Sequence, residues 1–224
     1  MKKIALALFL CTSIAFSQEL IKQDLGSFKE LKVFSGLKVE MIASDASKIE
    51  ISGNEAENVL VKISNETLKL SFNFTRSISQ KDVSIRLYYK NPLILIDANE
   101  GAIIRSEDVF VQNYLEIKAQ EGAIINLSVG VKQLDVKSVT GAEIRLKGTA
   151  EKTKVDANTG ASYYGYEVKN TDAEVKSVTG ASVELNADGI LDAYVSLGGM
   201  IYYKGTPEVL KTKKVMGGTI KKVE

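Results

Sequence analysis

The chain has 224 residues, enough to bury a sizeable core, and carries 29 Lys and Arg against 28 Asp and Glu. This balance gives no reason to expect nucleic acid or an anionic membrane surface as a partner. The sequence has no histidine and one cysteine, so nucleophilic triads, zinc sites and haem sites lack their usual residues. Carboxylates, Lys, Arg, Tyr, Ser and Thr remain for chemistry.

The first seventeen residues have the pattern of a signal peptide. Lys2 and Lys3 precede an apolar run from Ile4 to Phe16 that is shorter than a membrane-spanning helix. We expect cleavage before Gln18 and export to the periplasm, the outer membrane or the medium. Because cleavage removes two lysines and the only cysteine, the net charge changes from +1 to −1 and no disulfide can form. No later segment is apolar enough to span a membrane.

The next segment predicts short strands, because β-prone runs with a period of two alternate with turn residues such as Ser35-Gly36 and Asn65-Glu66. The predicted strands are Leu31 to Phe34, Leu37 to Ile42, Lys48 to Ile51, Val59 to Ile63, Leu68 to Phe74 and Val83 to Tyr89.

After Pro92 a repeat begins, marked by a glycine followed by a tiny residue. The pairs are Gly101-Ala102, Gly122-Ala123, Gly141-Ala142, Gly160-Ala161, Gly180-Ala181, Gly198-Gly199 and Gly217-Gly218, at spacings of 18 to 21 residues. A period near twenty is typical of a solenoid. The glycine would supply a corner with positive φ, and the small residue would let successive corners nest.

Aligning the repeats on the glycine predicts an inside and an outside. Three residues after it lies an apolar column of Ile104, Ile125, Ile144, Tyr163, Val183, Ile201 and Ile220. Inward columns are also expected five residues before it (Ile96, Ile117, Val136, Val155, Val175, Ala193, Thr212) and seven before it (Ile94, Leu115, Leu134, Thr153, Ala173, Leu191, Leu210). The column four before it, from Asp97 to Lys213, should face outward.

These columns predict an all-β protein whose second half is a single-stranded parallel β-helix of about seven turns with a period of 19–20 residues. The spacing of a leucine-rich repeat and the six-residue subperiod of the hexapeptide coil are both missing. We expect residues 18–224 to form one domain, with an irregular β-rich part at 18–92 that continues into the regular repeats at 93–224.

The chain resembles the putative auto-transporter adhesin, head GIN domain family of exported bacterial proteins. The resemblance covers nearly all of the mature chain and depends on five features: Phe28 to Val33, Asn91-Pro92-Leu93, the Thr-Gly-Ala corners beginning at Thr140, Thr159 and Thr179, the Gly122 to Asn126 segment, and Tyr203 to Pro207. It implies a right-handed β-helix and a cell-envelope or surface role, and brings no catalytic residues.

Two glutamates form a candidate cation site. Glu100 and Glu121 precede successive corner glycines, so in register they would lie about 5 Å apart. Such a pair could hold calcium, could act as the carboxylates of a retaining glycosidase, or could be two solvated side chains. The equivalent Thr140, Thr159 and Thr179 are expected at the rim of a strand, in a structural role.

Late tyrosines form a candidate ligand site. Tyr164 and Tyr202 are expected to face outward four residues after the glycine, with Glu184 between them, and Tyr194 lies nearby in the sequence. Exposed aromatic rings stack on sugars or fill partner pockets, but they could also cover the tapering end of the solenoid. The full outward column (Arg105, Asn126, Arg145, Tyr164, Glu184, Tyr202, Lys221) is mixed in charge, which favours a solvated face.

The sequence thus favours a non-enzymatic envelope or extracellular protein that binds a glycan or protein partner through the outside of its β-helix, with no cofactor beyond the calcium option. One alternative is a polysaccharide-active β-helix enzyme that uses carboxylates. Another is a structural module that assembles through its exposed solenoid ends.

Overall fold

The computed structural model describes residues 20–73 and 83–224, which form one sheet of 17 strands. The predicted signal peptide and Phe74 lie outside the described residues. Within them there is no α-helix, only a 3₁₀ turn at Ala56–Asn58. The all-β prediction is confirmed.

The first seven strands are short. They are β1 Leu20–Asp24, β2 Glu30–Val33, β3 Lys38–Ala43, β4 Lys48–Ser52, β5 Val59–Ser64, β6 Thr67–Phe72 and β7 Ser84–Tyr89. Six of them correspond closely to the predicted strands. The exception is β1, which pairs antiparallel with β4 at the edge of the sheet and is mostly exposed, so it lacks the alternation that would have revealed it.

The remaining strands form the solenoid. They are β8 Leu95–Ala98, β9 Ile103–Ala119, β10 Ile124–Val139, β11 Glu143–Asn158, β12 Ser162–Val178, β13 Ser182–Ala187, β14 Ile190–Ser196, β15 Met200–Lys204, β16 Val209–Val215 and β17 Thr219–Lys222. Each long strand bends around one coil and pairs in parallel with its equivalent in the next, as Ile125 does with Ile144 and Ile144 with Tyr163. The stack has about seven turns, as predicted.

Each predicted Gly-Ala or Gly-Gly corner is a tight turn with two left-handed residues. At the third corner, Thr140 has φ 53° and Gly141 φ 69°, and the Ala142 N–H donates to the Val139 carbonyl at 3.3 Å. Positive φ at both central residues with this hydrogen bond defines a type I′ turn. In each of the other six corners the two equivalent residues also have positive φ.

The corners stack through one repeated hydrogen bond. The corner glycine N–H donates to the carbonyl of the residue before the next corner glycine, as from Gly141 to Thr159 at 3.0 Å and from Gly160 to Thr179 at 3.0 Å. The series extends backward to Ser35-Gly36, where Gly36 N–H donates to the Glu100 carbonyl at 2.8 Å. The irregular part therefore contributes a coil of its own, made of β2, this corner and β3.

The expectation that Thr140, Thr159 and Thr179 lie at the rim of a strand is wrong. They occupy the first central position of the turns, with φ of 53°, 52° and 51°. A β-branched side chain disfavours this left-handed region, so the stacking of the coils holds these threonines against their local preference.

The corner divides each coil into two walls. The pre-corner wall consists of β2, β8, the ends of β9 to β12, β14 and β16, and the post-corner wall consists of β3, the starts of β9 to β12, β13, β15 and β17. At the N-terminal end of the stack, β6 with its hairpin partner β5 extends the pre-corner wall, and β7, β4 and β1 extend the post-corner wall.

The predicted core columns are buried except at Ile94, Leu210 and Thr212, which are exposed, and at Ile220, which is half-buried. Ile94 is 43% exposed, because β8 begins only at Leu95 and Leu93 takes the inward place. Leu210 and Thr212 are exposed, because no coil covers the last one. Asp97, expected to be exposed, is only 7% exposed; it lies in register between Lys32 and Lys118 and accepts a hydrogen bond from Asn99.

Candidate functional site

The outward residues of the post-corner wall form one continuous column across the molecule. Strand register places each directly beside the next, because side chains at equivalent positions of neighbouring parallel strands lie on the same face. In order they are Arg86, Glu40, Arg105, Asn126, Arg145, Tyr164, Glu184, Tyr202 and Lys221. The predicted outward column is therefore real and extends two residues further, through β3 and β7.

The middle of this column lines a shallow groove of about 360 Å³, which we call the outer groove. It runs across β9, β10, β11, β12 and β13. Its charged, amide and tyrosine side chains are Arg105, Glu107, Asn126, Arg145, Lys147, Tyr164, Tyr166, Glu167 and Glu184. With three cations and three carboxylates the groove has no net charge, so the positions of the charges decide what it can bind.

Arg145 is held in place from two sides. Its Nε donates to Glu143 Oε1 at 2.7 Å, and its guanidinium lies 3.9 Å from the centroid of the Tyr164 ring. The hydrogen bond to Glu143 raises the pKa of Arg145, against the opposing effect of burial. Because a guanidinium has five N–H donors, these contacts orient Arg145 and still leave it able to bind an anion.

Arg105 is in a different situation. Its neighbour Glu40 lies in register with it, but the Glu40 carboxylate pairs with Arg86 Nε at 3.3 Å. Arg105 is exposed and has no ion pair or hydrogen bond from its side chain to any residue that the structure describes. Arg105 and Lys147 are therefore the two cations of this stretch of the wall whose charges are not paired with any described residue.

Asn126 lies between the two arginines, in register with both. Its Oδ1 atom is buried and has no hydrogen-bond partner in the described part of the chain. Leaving a buried acceptor without a donor costs about 1–3 kcal/mol. A donor supplied from outside the chain would recover this free energy.

The far end of the outer groove is aromatic. Tyr164 and Tyr202 lie on either side of Glu184 in register, and the ring of Tyr166 lies 5.3 Å from Lys204 Nζ. Burial raises the pKa of Glu184, and Arg145 and Lys204 counteract the shift. Burial likewise raises the pKa of Tyr166, with smaller contributions from Glu184 and Tyr202.

The structure brings two of the three predicted tyrosines together. Tyr164 and Tyr202 share the post-corner wall, whereas Tyr194 belongs to β14 of the pre-corner wall, where Lys213 Nζ lies 5.8 Å from its ring centroid. Tyr194 and the other two tyrosines therefore cannot form one continuous surface on a single wall.

The predicted cation pair lies at adjacent corners. Gly101 N–H donates to the Glu121 carbonyl at 2.9 Å, which places Glu100 and Glu121 at equivalent turn positions. The Glu100 carboxylate accepts hydrogen bonds from the backbone N–H and the hydroxyl of Ser35, both at 3.1 Å, and so is directed toward the preceding corner. In the described ranges no cluster of three or more Asp, Glu, Cys or His side chains could hold a metal. Calcium binding by the pair stays a prediction.

Sequence reasoning missed Arg105, Asn126, Arg145 and Tyr166 as candidate site residues. The mixed charge of the outward column favoured a solvated face, because strand register alone does not reveal which charges pair with each other. The available signal was the run Arg105, Asn126, Arg145 and Tyr164 in four consecutive coils. The described residues include no helix that is long and apolar enough to cross a bilayer.

Comparison with solved structures gives close likeness in fold. A putative adhesin from Bacteroides fragilis is 21% identical, with a TM-score of 0.82 over 92% of this chain and 98% of that one. A putative adhesin from Parabacteroides merdae is 18% identical, with a TM-score of 0.75 over 94% and 98%. A putative lipid binding protein from Parabacteroides distasonis is 17% identical, with a TM-score of 0.69 over 94% and 98%. At these identities the likeness concerns the fold.

Sequence comparison adds a family. Comparison with curated proteins gives no match. The family described as putative auto-transporter adhesin, head GIN domain, matches residues 27–207. This match covers most of the chain and includes the Ser35-Gly36 corner, the outer groove and six of the seven predicted corners. The chain therefore belongs to the head GIN domain family of putative auto-transporter adhesins.

Proposed function

We propose that this protein is a non-enzymatic adhesin of the cell envelope or the extracellular medium, and that it binds a glycan or protein partner through its post-corner wall. The observation that carries the proposal is the outer groove. There an uncompensated cation, a buried acceptor without a donor and a group of tyrosines lie on one rigid sheet face.

Two properties of the wall support binding. Its strands are paired on both sides, so the backbone that carries the side chains is already ordered and loses little conformational freedom when a partner binds. Arg and Tyr are also the side chains that most often dominate recognition surfaces. Membership of the head GIN domain family agrees with an adhesive role.

The experiment is a binding screen of the mature chain, residues 18–224, against a glycan array and against envelope proteins of the source cells. Changing Tyr164 and Tyr202 to Ala should weaken a signal that the wild type gives. Tyr194→Ala is the matched control, because it removes a tyrosine from the other wall. A wild type that binds nothing in either screen would contradict the proposal. Loss of binding in Tyr194→Ala, with the double variant unaffected, would move the site to the pre-corner wall.

Export is tested by cell fractionation. The full-length chain should be processed near Gln18 and be found in the periplasm, with the outer membrane or in the medium. Mass spectrometry of the mature N-terminus identifies the cleavage site. A chain that keeps residues 1–17 and stays in the cytoplasm would contradict the expected location. Assembly through the solenoid ends is tested on the same material by its mass in solution.

Calcium binding at Glu100 and Glu121 is tested by thermal unfolding with and without calcium. If the pair binds the ion, calcium should raise the unfolding temperature of the wild type and have no effect on Glu100→Gln or Glu121→Gln. Identical wild-type curves in calcium and in chelator would remove this site.

A further inference from the structure

The outer groove contains an acceptor for which the described residues offer no hydrogen-bond donor, at Asn126. Asn126 Oδ1 is a buried acceptor with no partner among the described residues, and the two arginines beside it lie one coil away on each side. Because neighbouring strands are about 4.8 Å apart, Arg105 and Arg145 flank Asn126 across about 10 Å. One ligand group placed over Asn126 could therefore reach both guanidinium groups.

The two arginines set the charge of that group. Arg105 has no ionic partner in the described residues, and Arg145 is oriented by Glu143 and Tyr164. A guanidinium binds carboxylate or sulfate oxygens through paired N–H bonds. The centre of the groove thus favours an anionic group that also carries a hydroxyl, since Asn126 Oδ1 needs a donor.

The carboxylates at the two ends of the groove limit the number of negative charges that the ligand can carry. Glu107 lies at the Arg105 end and Glu167 and Glu184 lie at the tyrosine end. A ligand with a negative charge on every unit would place some of them beside these carboxylates, and like charges at short distance repel. The unit at the tyrosine end should therefore be neutral. A neutral sugar ring fits there, because its C–H face packs on tyrosine rings such as Tyr166.

The main chain of the groove argues against a peptide ligand. Extended peptides bind sheets mainly through backbone hydrogen bonds at a free edge. Here β10 and β11 each pair with a strand on both sides, so no free edge is offered along the centre of the groove. Recognition must come from side chains, which suits a saccharide.

We propose that the outer groove binds an oligosaccharide in which an acidic sugar is followed by neutral sugars. The acidic group lies between Arg105 and Arg145, and the neutral part extends toward Tyr166. Because Asn126 Oδ1 is buried, the Asn126 side chain turns toward the ligand, where a neighbouring sugar hydroxyl donates to Oδ1. This inference rests on the proposed function, because it takes the outer groove as the binding face and names its ligand.

The test uses a glycan array that contains acidic glycans, their neutral counterparts and heparin, followed by titration of the strongest binder. The wild type should bind glycans with an isolated acidic sugar better than their neutral counterparts and better than heparin. Arg105→Gln and Asn126→Asp should each weaken binding about tenfold or more, since one removes the cation and the other adds a negative charge. Lys137→Gln is the matched control, because Lys137 is an exposed cation of the pre-corner wall and lies outside the groove. It should bind like the wild type.

The outcomes separate this inference from the proposed function. Binding of neutral glycans or of a protein, unaffected by Arg105→Gln and weakened by the change of Tyr164 and Tyr202 to Ala, would overturn the acidic ligand and leave the adhesin proposal standing. Preferred binding of heparin or of an acidic peptide would also overturn it. No binding of any glycan or envelope protein by the wild type would overturn both. Circular dichroism melting curves of all variants confirm that each remains folded.

Discussion

The left-handed backbone at Thr140 and Thr179 predicts that replacing these threonines with asparagine will stabilise this protein. Thr140 and Thr179 have φ of 53° and 51°, a region that costs an L-residue about 1–2 kcal/mol. Asparagine tolerates this region better than other residues apart from glycine, and Asn-Gly is the preferred type I′ pair. Thr140→Asn and Thr179→Asn should therefore each release part of the strain. Thr159 is less suitable, because its hydroxyl donates to Asn158.

The expected gain is about 0.5–1 kcal/mol per corner, roughly half of the conformational cost. In a chain of this size 1 kcal/mol changes the unfolding temperature by about 2–4 °C. The two corners are separated by one intervening coil, about 10 Å in all, so their effects should be additive. The double variant should unfold at a temperature about 2–8 °C above that of the wild type.

Thermal unfolding followed by circular dichroism measures the change, and urea unfolding checks it at constant temperature. Thr149→Asn is the matched control, because Thr149 is exposed in the middle of β11, where a β-branched residue is favoured. The same substitution should lower stability there. If Thr140→Asn and Thr149→Asn shift the unfolding temperature in the same direction, corner strain is not the cause.

Three further predictions concern stability. Tyr163→Phe should raise stability by about 1 kcal/mol in urea unfolding, because the hydroxyl is buried without a partner; a loss would show that the hydroxyl has one. Gly148→Ala should lower the free energy of unfolding by about 3 kcal/mol or more, because the new Cβ would lie 1.9 Å from the Val129 carbonyl oxygen. Gly160→Ala, with open space around the Cβ, should lower it by only about 1 kcal/mol; equal losses would contradict the steric contact at Gly148. The pKa of Tyr114 is raised to about 12 by burial and nearby carboxylates, so its contribution to stability should be lost as the pH rises from about 10 to about 12. The pKa of Tyr89 is also raised to about 12, so Tyr114→Phe should lower the late absorbance change by one tyrosine; an unchanged late amplitude would contradict the prediction.

The repeat could be predicted because every coil solves the same packing problem. A buried residue three positions after each glycine and a small one directly after it are required wherever coils stack, so Ile104 and Ala102 are repeated down the chain with little change. The irregular part obeys the same geometry at Ser35-Gly36. That corner could not be recognised from its spacing, because the inserted strands β4 to β7 separate it from the next corner.

The outer groove could be predicted only in part. The period placed Tyr164 and Tyr202 on one face, but periodicity does not say that Glu40 is taken by Arg86 or that the Asn126 carbonyl is left unpaired. Those facts depend on rotamers and on contacts across neighbouring coils. Nearness to Tyr164 and Tyr202 in the sequence groups Tyr194 with them, but it belongs to the other wall. Nearness in sequence therefore does not show which wall a residue lies on.

Because the same glycine hydrogen bond is repeated at successive corners, this molecule could be shortened or lengthened by whole coils. Removing residues 141–159, one period from Gly141 to Thr159, would join Thr140 to Gly160 and present the next coil with the same donors and acceptors. Whole coils could therefore be lost or duplicated in a lineage without a new fold having to arise. Such a change would not leave the groove intact, however, because this particular coil carries Arg145. The number of coils in this chain could thus change without a change of fold, whereas each coil gained or lost would change the side chains on the post-corner wall.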